Sequence, residues 1–546
     1  MSVEHEQPHS HTVPVDIPES VDIYDTTLRD GSQQEGLSLT VDDKLRVATQ
    51  LDALGVQYIE GGWPGANPKD AEFFRRAAEG DLHLRNATLV AFGSTRKAGG
   101  KAETDPVLAD MLEARTQVVC LVAKSAEWHV TETLRTTLTE AIDMVADSVG
   151  FLVSQGRRVF LDAEHFFDGY GQNPAFSLDV LRAAADAGAE VLVLCDTNGG
   201  TLPFEVERVV GEVAGRFAAA RIGCHFHNDS GTAVANSLVA VRSGATQVQG
   251  CVNGYGERTG NADLTAAIPN LTLKMGIKTI APERLCLLTP VAHHIAELVN
   301  VAPDAHQPFV GISAFAHKAG LHTSAIARSS GAYEHIDPAS VGNDTRFVVS
   351  EMAGRSTVTL KAAQIGLDLD DAAAAAVVDR LKDLEHRGYH FEVADGSLEL
   401  LMRAATGWKQ DYFALESHRV ITELREDGTF VTEATVKVRV GDSRVIATAE
   451  GNGPVNSLDT ALRQAIGPHF PQLARVHLTD FKVRVLDTSR ATAAVTRVLI
   501  DSTDGERTWT TIGVSENVIE ASWAALEDSI VFGLLHASAG GQDSAV

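Results

Sequence analysis

Through the first half of the chain, short apolar runs rich in Val, Ile and Leu alternate with longer stretches whose apolar residues recur at helical spacing. The first run, VDIYD from Val21, breaks abruptly into Thr-Leu-Arg-Asp-Gly-Ser, and the second, VQYIEGG, begins at Val56. Six more strands are predicted at 87–93, 116–123, 158–166, 190–197, 221–228 and 247–254. Residues 40–54 read as a helix: Thr40 supplies an N-cap, acids fill the first turn and Gly55 stops it. Residues 134–155 and 178–187 repeat the helical pattern. Parallel strands need a crossover, usually a helix, so eight strands alternating with helices over about 240 residues predict a (β/α)8 TIM barrel, with an open doubly wound sheet as the alternative.

Beyond the barrel the rhythm changes. Residues 285–301 and 370–386 look helical, and the Gly-, Ser-, Ala- and His-rich segment between them reads as loop-bearing. Alternating strands return at 413–423, 430–440, 443–450, 477–485 and 492–501. They are interrupted by two turn-helix units, GNGPVNSLDTALRQAI and GVSENVIEASWAALEDSI, which suggest a weak internal duplication. The expected organisation is an α/β chain: a disordered arm at 1–19, a catalytic barrel at 20–284, small α-rich linker subdomains at 285–407, an α+β C-terminal domain at 408–537 and a disordered tail at 538–546.

Composition narrows the function classes. A net charge of −27 over 546 residues repels phosphate backbones and anionic lipid, so neither nucleic acid nor membrane is an expected partner. No run of about 18 apolar residues occurs, and the first residues, polar and acid-bearing, do not read as a signal peptide. Five cysteines without paired spacing imply no disulfide framework, hence a reducing, cytoplasmic setting.

In a TIM barrel, chemistry collects at the C-terminal tips of the strands. Read in order, these tips carry Arg29 and Asp30, Glu60, Lys124, Asp162 and Glu164, Asp196 and Thr197, His225 and His227, and Asn253 followed by Glu257 and Asn261. His225 and His227, two apart on a strand, face one side while Phe226 faces the other. With Asp30 they form a mixed nitrogen and oxygen shell suited to a divalent metal. Asn261, in the glycine-rich run GYGERTGN, offers a hard amide oxygen as a fourth ligand. Arg29 offers a planar fork for a carboxylate, and Thr197 a hydroxyl for one or a cap for the next helix. Glu164 suits proton transfer, with a second carboxylate, Asp162, on the same strand face. Glu257 and Arg258 read equally well as a surface pair. His322 and Tyr333, or His317, lie in the linker, where a segment could close over the site.

These motifs resemble the α-isopropylmalate synthase, homocitrate synthase and citramalate synthase family, whose signature strand is matched by Asp25-Thr-Thr-Leu-Arg-Asp-Gly31, followed by His225-Phe-His227-Asn-Asp229 and Gly256-Glu-Arg-Thr-Gly-Asn-Ala262. Within the family, YIEGGWPGANPKD and LDAEHFFDGY look most like the longer citramalate synthases. The resemblance implies a divalent metal (manganese or magnesium, with zinc also compatible) on Asp30, His225, His227 and Asn261. It implies a 2-oxo acid on Arg29 and Thr197 beside Glu164, and His322 and Tyr333 as the linker pair that completes the site, often from a neighbouring subunit. The implied reaction is Claisen condensation of acetyl-CoA with pyruvate and thioester hydrolysis to (R)-citramalate, leading toward 2-oxobutanoate and isoleucine. The proton-abstracting base stays open among Glu164, Glu257 and the His322/Tyr333 pair. Trp63, after the second strand, could close the pocket to acceptors larger than pyruvate. The C-terminal domain is similar to the family's amino-acid-binding regulatory domain, which implies an isoleucine or leucine effector and a homodimer. The competing readings are isopropylmalate synthesis from 2-oxoisovalerate, a retro-Claisen acyl-CoA lyase or carboxyl transferase, and an amino-acid sensor with an inactive barrel.

Overall fold

The computed structural model describes residues 17–318, 322, 325–326, 328–349, 354–486 and 494–539. The arm predicted at 1–19 lies outside them up to residue 16, and the predicted tail from residue 540 onward. Eight parallel strands close into a barrel in chain order: β1 (Asp22–Asp25), β2 (Tyr58–Gly62), β3 (Thr88–Ser94), β4 (Val118–Lys124), β5 (Arg158–Glu164), β6 (Val191–Asp196), β7 (Arg221–Phe226) and β8 (Gln247–Gly250). Closure is direct, with Tyr24 opposite Gln249 across β1 and β8. This excludes the open doubly wound sheet.

The period-two alternation of each strand sorts its residues between two cores. Outward residues such as Ile23, Ile59, Val119 and Leu161 pack under the helices. Inward residues, among them Tyr24, Tyr58, Val118, Phe160 and Val193, fill the barrel lumen. Tyr58 and Phe160 meet edge to face at 5.1 Å. The first helix, Val41–Leu54, forms as its sequence requires: Thr40 and Asp43 cap it reciprocally, and Gly55 ends it at φ +94°.

Of the predicted boundaries that move, three do so for a local reason. The helix expected from 134 begins at Leu138, because Arg135 adopts φ +55° and Thr137 caps Glu140. Strand β5 stops at Glu164, since His165 turns left-handed at φ +56°. Strand β8 ends at Gly250; Asn253, at φ +61°, turns outward and donates to the Ala292 carbonyl at 2.9 Å. Asn253 therefore leaves the rim and joins the packing of the helix Leu288–Leu298.

The chain divides into two compact units, one running to Phe315 and including His335–Asp344, the other made of Ala316–Glu334 and everything from Thr345 on. The second unit contains the helices Arg355–Gln364, Asp371–His386 and Asp395–Ala405. It also holds two antiparallel three-stranded sheets, β9 (Ala414–Leu424), β10 (Phe430–Val440) and β11 (Ser443–Gly451), then β12 (His477–Val485), β13 (Thr496–Thr503) and β14 (Thr508–Ser515). Each sheet is followed by a helix, Pro454–Ile466 and Val518–Ala539, so the duplication is strand-strand-strand-helix. Strand β14 escaped the sequence reading because Gly513 looks like a turn glycine. It sits in the strand because a Cβ there would lie 1.9 Å from the Ala521 carbonyl oxygen of the covering helix. The last helix also runs past the predicted domain end at 537 to Ala539.

Near the barrel mouth, the buried Lys44 ammonium pairs with Asp70 and donates to the Gly61 carbonyl at 3.1 Å, while Asp70 accepts from the Trp63 amide at 2.9 Å. Gly62 adopts φ +143° there, with Asp70 2.5 Å from where a Cβ would stand. Removing one member of a buried ion pair strands the other charge, so Lys44→Met is expected to destabilise the barrel by about 3–5 kcal/mol. A thermal unfolding midpoint unchanged from the parent would contradict this.

Candidate active site

The residues after β1 turn sharply because the Asp25 carboxylate accepts from both the amide and the hydroxyl of Thr27, each at 2.9 Å. Burial pushes Asp25 up to about 7 against the pull of those hydrogen bonds. The turn brings Asp30 across the mouth to the end of β7. Its Oδ2 lies 3.3 Å from His225 Nε2 and 3.5 Å from His227 Nε2, and all three side chains are buried. Ligand atoms of the three lie within 4.8 Å of one another. Burial alone would lower the His225 pKa, but the hydrogen bond and charge of Asp30 raise it. His227 is pushed down to about 4 by burial and by His225 beside it, so its imidazole is neutral at physiological pH.

Asn261 reaches the same point through a backbone bridge to His227. Its Nδ2 donates to the Tyr255 carbonyl at 3.0 Å, which fixes the amide so that Oδ1 is the free end. That oxygen is buried without a hydrogen-bond partner among the described residues. A buried acceptor left alone is unfavourable by about 1–3 kcal/mol, which a cation at this point would relieve. The glycines of GYGERTGN serve the loop itself: at Gly256, φ +145°, a Cβ would lie 2.3 Å from Asn261 Nδ2. One carboxylate, two imidazoles and one amide oxygen thus fit a divalent metal.

Arg29 is held for a different purpose. Its Nε donates to Glu60 Oε1 at 2.6 Å, an Nη lies 3.5 Å from Asp30 Oδ1, and its guanidinium carbon sits 3.9 Å above the Phe92 ring. Glu60 accepts in turn from the Tyr24 hydroxyl at 2.5 Å. Burial works against the charge, but Glu60 and Asp30 hold the Arg29 pKa above its ordinary value. Trp63 packs edge-on against Phe92 with centroids 5.5 Å apart. A second trio, Glu60, Cys120 and Asp162, also lies within ligand distance. Glu60 is committed to Arg29 and Tyr24, however, and burial drives the Cys120 thiol well above its usual pKa, so it makes a poor thiolate ligand.

A cavity of about 740 Å³ opens over these groups. Trp63, Thr197, Glu164 and Glu257 line it with Arg29, Asp30 and both imidazoles. Glu164 pairs with Lys124, and His129 Nδ1 lies 3.9 Å from the same carboxylate oxygen. Thr197 Oγ1 accepts from the His165 amide at 2.9 Å. It does not cap the next helix, which starts at Pro203 with Leu202 before it. Arg258 is bound to Asp229 at 2.8 Å and to the Thr197 carbonyl, while Glu257 is more than half exposed on the rim. Asp196 accepts from the Thr201 amide at 3.0 Å and serves its own loop. In the second unit, His322 and Tyr333 stack with centroids 3.9 Å apart, whereas His317 binds Glu334 at 3.3 Å. In the sequence Glu60 is only a strand-tip acid, and nothing there singles out Tyr24, Phe92 or Gln249. All three occupy inward strand positions that read as packing.

Residues 20–296 match the HMGL-like family, 309–389 the homocitrate synthase post-HMGL domain-like family, and 392–533 the LeuA allosteric (dimerisation) domain. The chain is 52% identical to an (R)-citramalate synthase of Streptomyces coelicolor over 96% of its length and 99% of that protein's. An (R)-citramalate synthase of Aquifex aeolicus is 49% identical over 95% of this chain and 98% of its own. A 2-isopropylmalate synthase of Methanocaldococcus jannaschii is 28% identical over 94% and 95%. Among the described residues all five cysteines are free, four of them buried, and no helix is long and apolar enough to cross a membrane.

Saturating manganese is expected to raise the thermal midpoint of the parent and of a Cys120→Ala variant but not that of Asp30→Ala, since only ligand binding to the native state stabilises it. A rise that survives in Asp30→Ala and vanishes in Cys120→Ala would move the metal to the second trio.

Proposed function

We propose, for a chain that belongs to the (R)-citramalate synthase family of HMGL-like enzymes, that the barrel mouth holds a divalent metal on Asp30, His225, His227 and Asn261 and a 2-oxo acid on Arg29 and Thr197. The reaction condenses acetyl-CoA with pyruvate and hydrolyses the thioester, giving (R)-citramalate and CoA. The observation that carries the site assignment is the buried Oδ1 of Asn261, without a partner among the described residues, beside the carboxylate and the two imidazoles.

When bound, the metal supplies Lewis acidity at the ketone oxygen of the acceptor. Arg29, already oriented by Glu60 and Phe92, holds the pyruvate carboxylate, and the Thr197 hydroxyl, fixed by the His165 amide, donates to it. Glu164, oriented by Lys124 and His129, takes a proton from the methyl of acetyl-CoA. The resulting enolate carbon bonds to the ketone carbon, the new alkoxide takes up a proton, and water cleaves the thioester to release CoA. His322 and Tyr333, stacked on one another in the second unit, are the linker pair that the family resemblance has completing a site, often that of a neighbouring subunit, and Glu257, exposed beside Arg258, is the other carboxylate considered as base. The LeuA-type region supports a homodimer and an amino-acid effector, isoleucine given this product, with the pathway running to 2-oxobutanoate and isoleucine. The cytoplasm is the compartment this chemistry and the free thiols suit.

Release of free CoA from acetyl-CoA, measured with manganese or magnesium and with pyruvate, 2-oxoisovalerate and 2-oxoglutarate in parallel, is expected with pyruvate alone. Release with 2-oxoisovalerate instead would overturn the acceptor assignment. Opening the wall beside Phe92 by Trp63→Ala is expected to raise kcat/KM for 2-oxobutanoate relative to pyruvate by roughly tenfold, the range one methylene of fit commands. An unchanged ratio would remove Trp63 from the pocket.

A further inference from the structure

Strand β8 points two amide side chains into the barrel, and they fare differently. Neither polar end of Gln247 has a hydrogen-bond partner among the described residues. Gln249, two residues on, uses both ends. Its Nε2 donates to Asp162 Oδ1 at 3.0 Å, and its Oε1 lies 3.1 Å from His225 Nδ1. All three side chains are buried.

We propose that Gln249 is a positioning residue for the metal centre, setting the tautomer and the ring orientation of His225 through an amide whose direction Asp162 dictates. This rests on the metal assignment above. Asp162 Oδ1 faces the NH2 end of the amide at 3.0 Å and accepts from it, which an oxygen in that place does whether or not the other carboxyl oxygen carries a proton. That leaves Oε1, an acceptor, facing His225 Nδ1. The Nδ1 proton is thereby held in place, so that when a metal binds, the proton given up would be the one on Nε2, the atom that hydrogen-bonds Asp30 at 3.3 Å in the metal-free protein. Without the amide the ring can rotate or carry its proton on Nε2, and either change removes a ligand. The chain Asp162, Gln249, His225 thus ties a carboxyl lining the cavity to the orientation of the imidazole.

The test is manganese titration of the metal-free, full-length protein by calorimetry. Gln249→Met keeps length and apolar bulk but loses the acceptor, and its affinity is expected to fall about 10- to 100-fold, the loss typical when such a supporting hydrogen bond is removed. The double variant Gln249→Glu/Asp162→Asn keeps an acceptor for Nδ1, supplies the donor from position 162 instead, and is expected to bind within a few-fold of the parent. Asp162→Ala frees the amide to turn over and is expected to weaken binding less than Gln249→Met does. If the methionine variant binds like the parent while Asp30→Ala does not bind, the positioning role is wrong and the metal site stands. If the methionine variant and the glutamate/asparagine double variant lose affinity equally, Gln249 acts by packing and the inference fails. If the parent takes up no manganese, the metal assignment falls and this inference with it.

Discussion

Three buried carboxylates, Asp30, Glu60 and Asp162, crowd the mouth of the barrel around one buried guanidinium, that of Arg29. Burial pushes the Glu60 and Asp162 carboxyls up toward their neutral forms, whereas Arg29 and His225 hold Asp30 well below the usual carboxylate range. That ionised carboxylate, next to two imidazoles and an amide oxygen without a partner among the described residues, is what a divalent metal would join. The rest of the site is arranged around it. Arg29 is drawn down by Glu60 and Asp30 and braced on Phe92, which leaves it oriented for a substrate carboxylate rather than free in solvent. Asp162, out of reach of Arg29 as a direct partner, is satisfied by Gln249.

The barrel makes this arrangement affordable. Its strands are locked between an aromatic lumen and a helix-packed outer core, so groups at the strand tips are held by rigid backbone. Side chains from β1, β2, β5, β7 and β8 meet within a few ångströms although they are distant in sequence. The same rigidity explains the glycines. Gly62 and Gly256 stand where backbone passes against Asp70 and Asn261, at φ values that other residues rarely adopt.

The barrel, and the meeting of Asp30 with His225 and His227 at its mouth, were legible in the sequence because both rest on local pattern. Period-two runs bounded by helical stretches give the strands, and His225 and His227 share a face by spacing alone. Strand ends were harder, since His165 and Asn253 end their strands by left-handed turns that ordinary residue types do not announce. Strand β14 was hidden by Gly513, whose role depends on a helix that follows it. The supporting residues were the least legible. Tyr24, Phe92 and Gln249 occupy inward strand positions like any packing residue, and only the closed barrel shows that they contact Glu60, Arg29 and His225.

Anomalous diffraction from crystals soaked in manganese locates the metal. One strong peak is expected beside β1 and β7, bonded to an Asp30 oxygen, both His225 and His227 Nε2 atoms and Asn261 Oδ1. A peak among Glu60, Cys120 and Asp162, or none beside Asp30 at saturating manganese, would rule this metal site out.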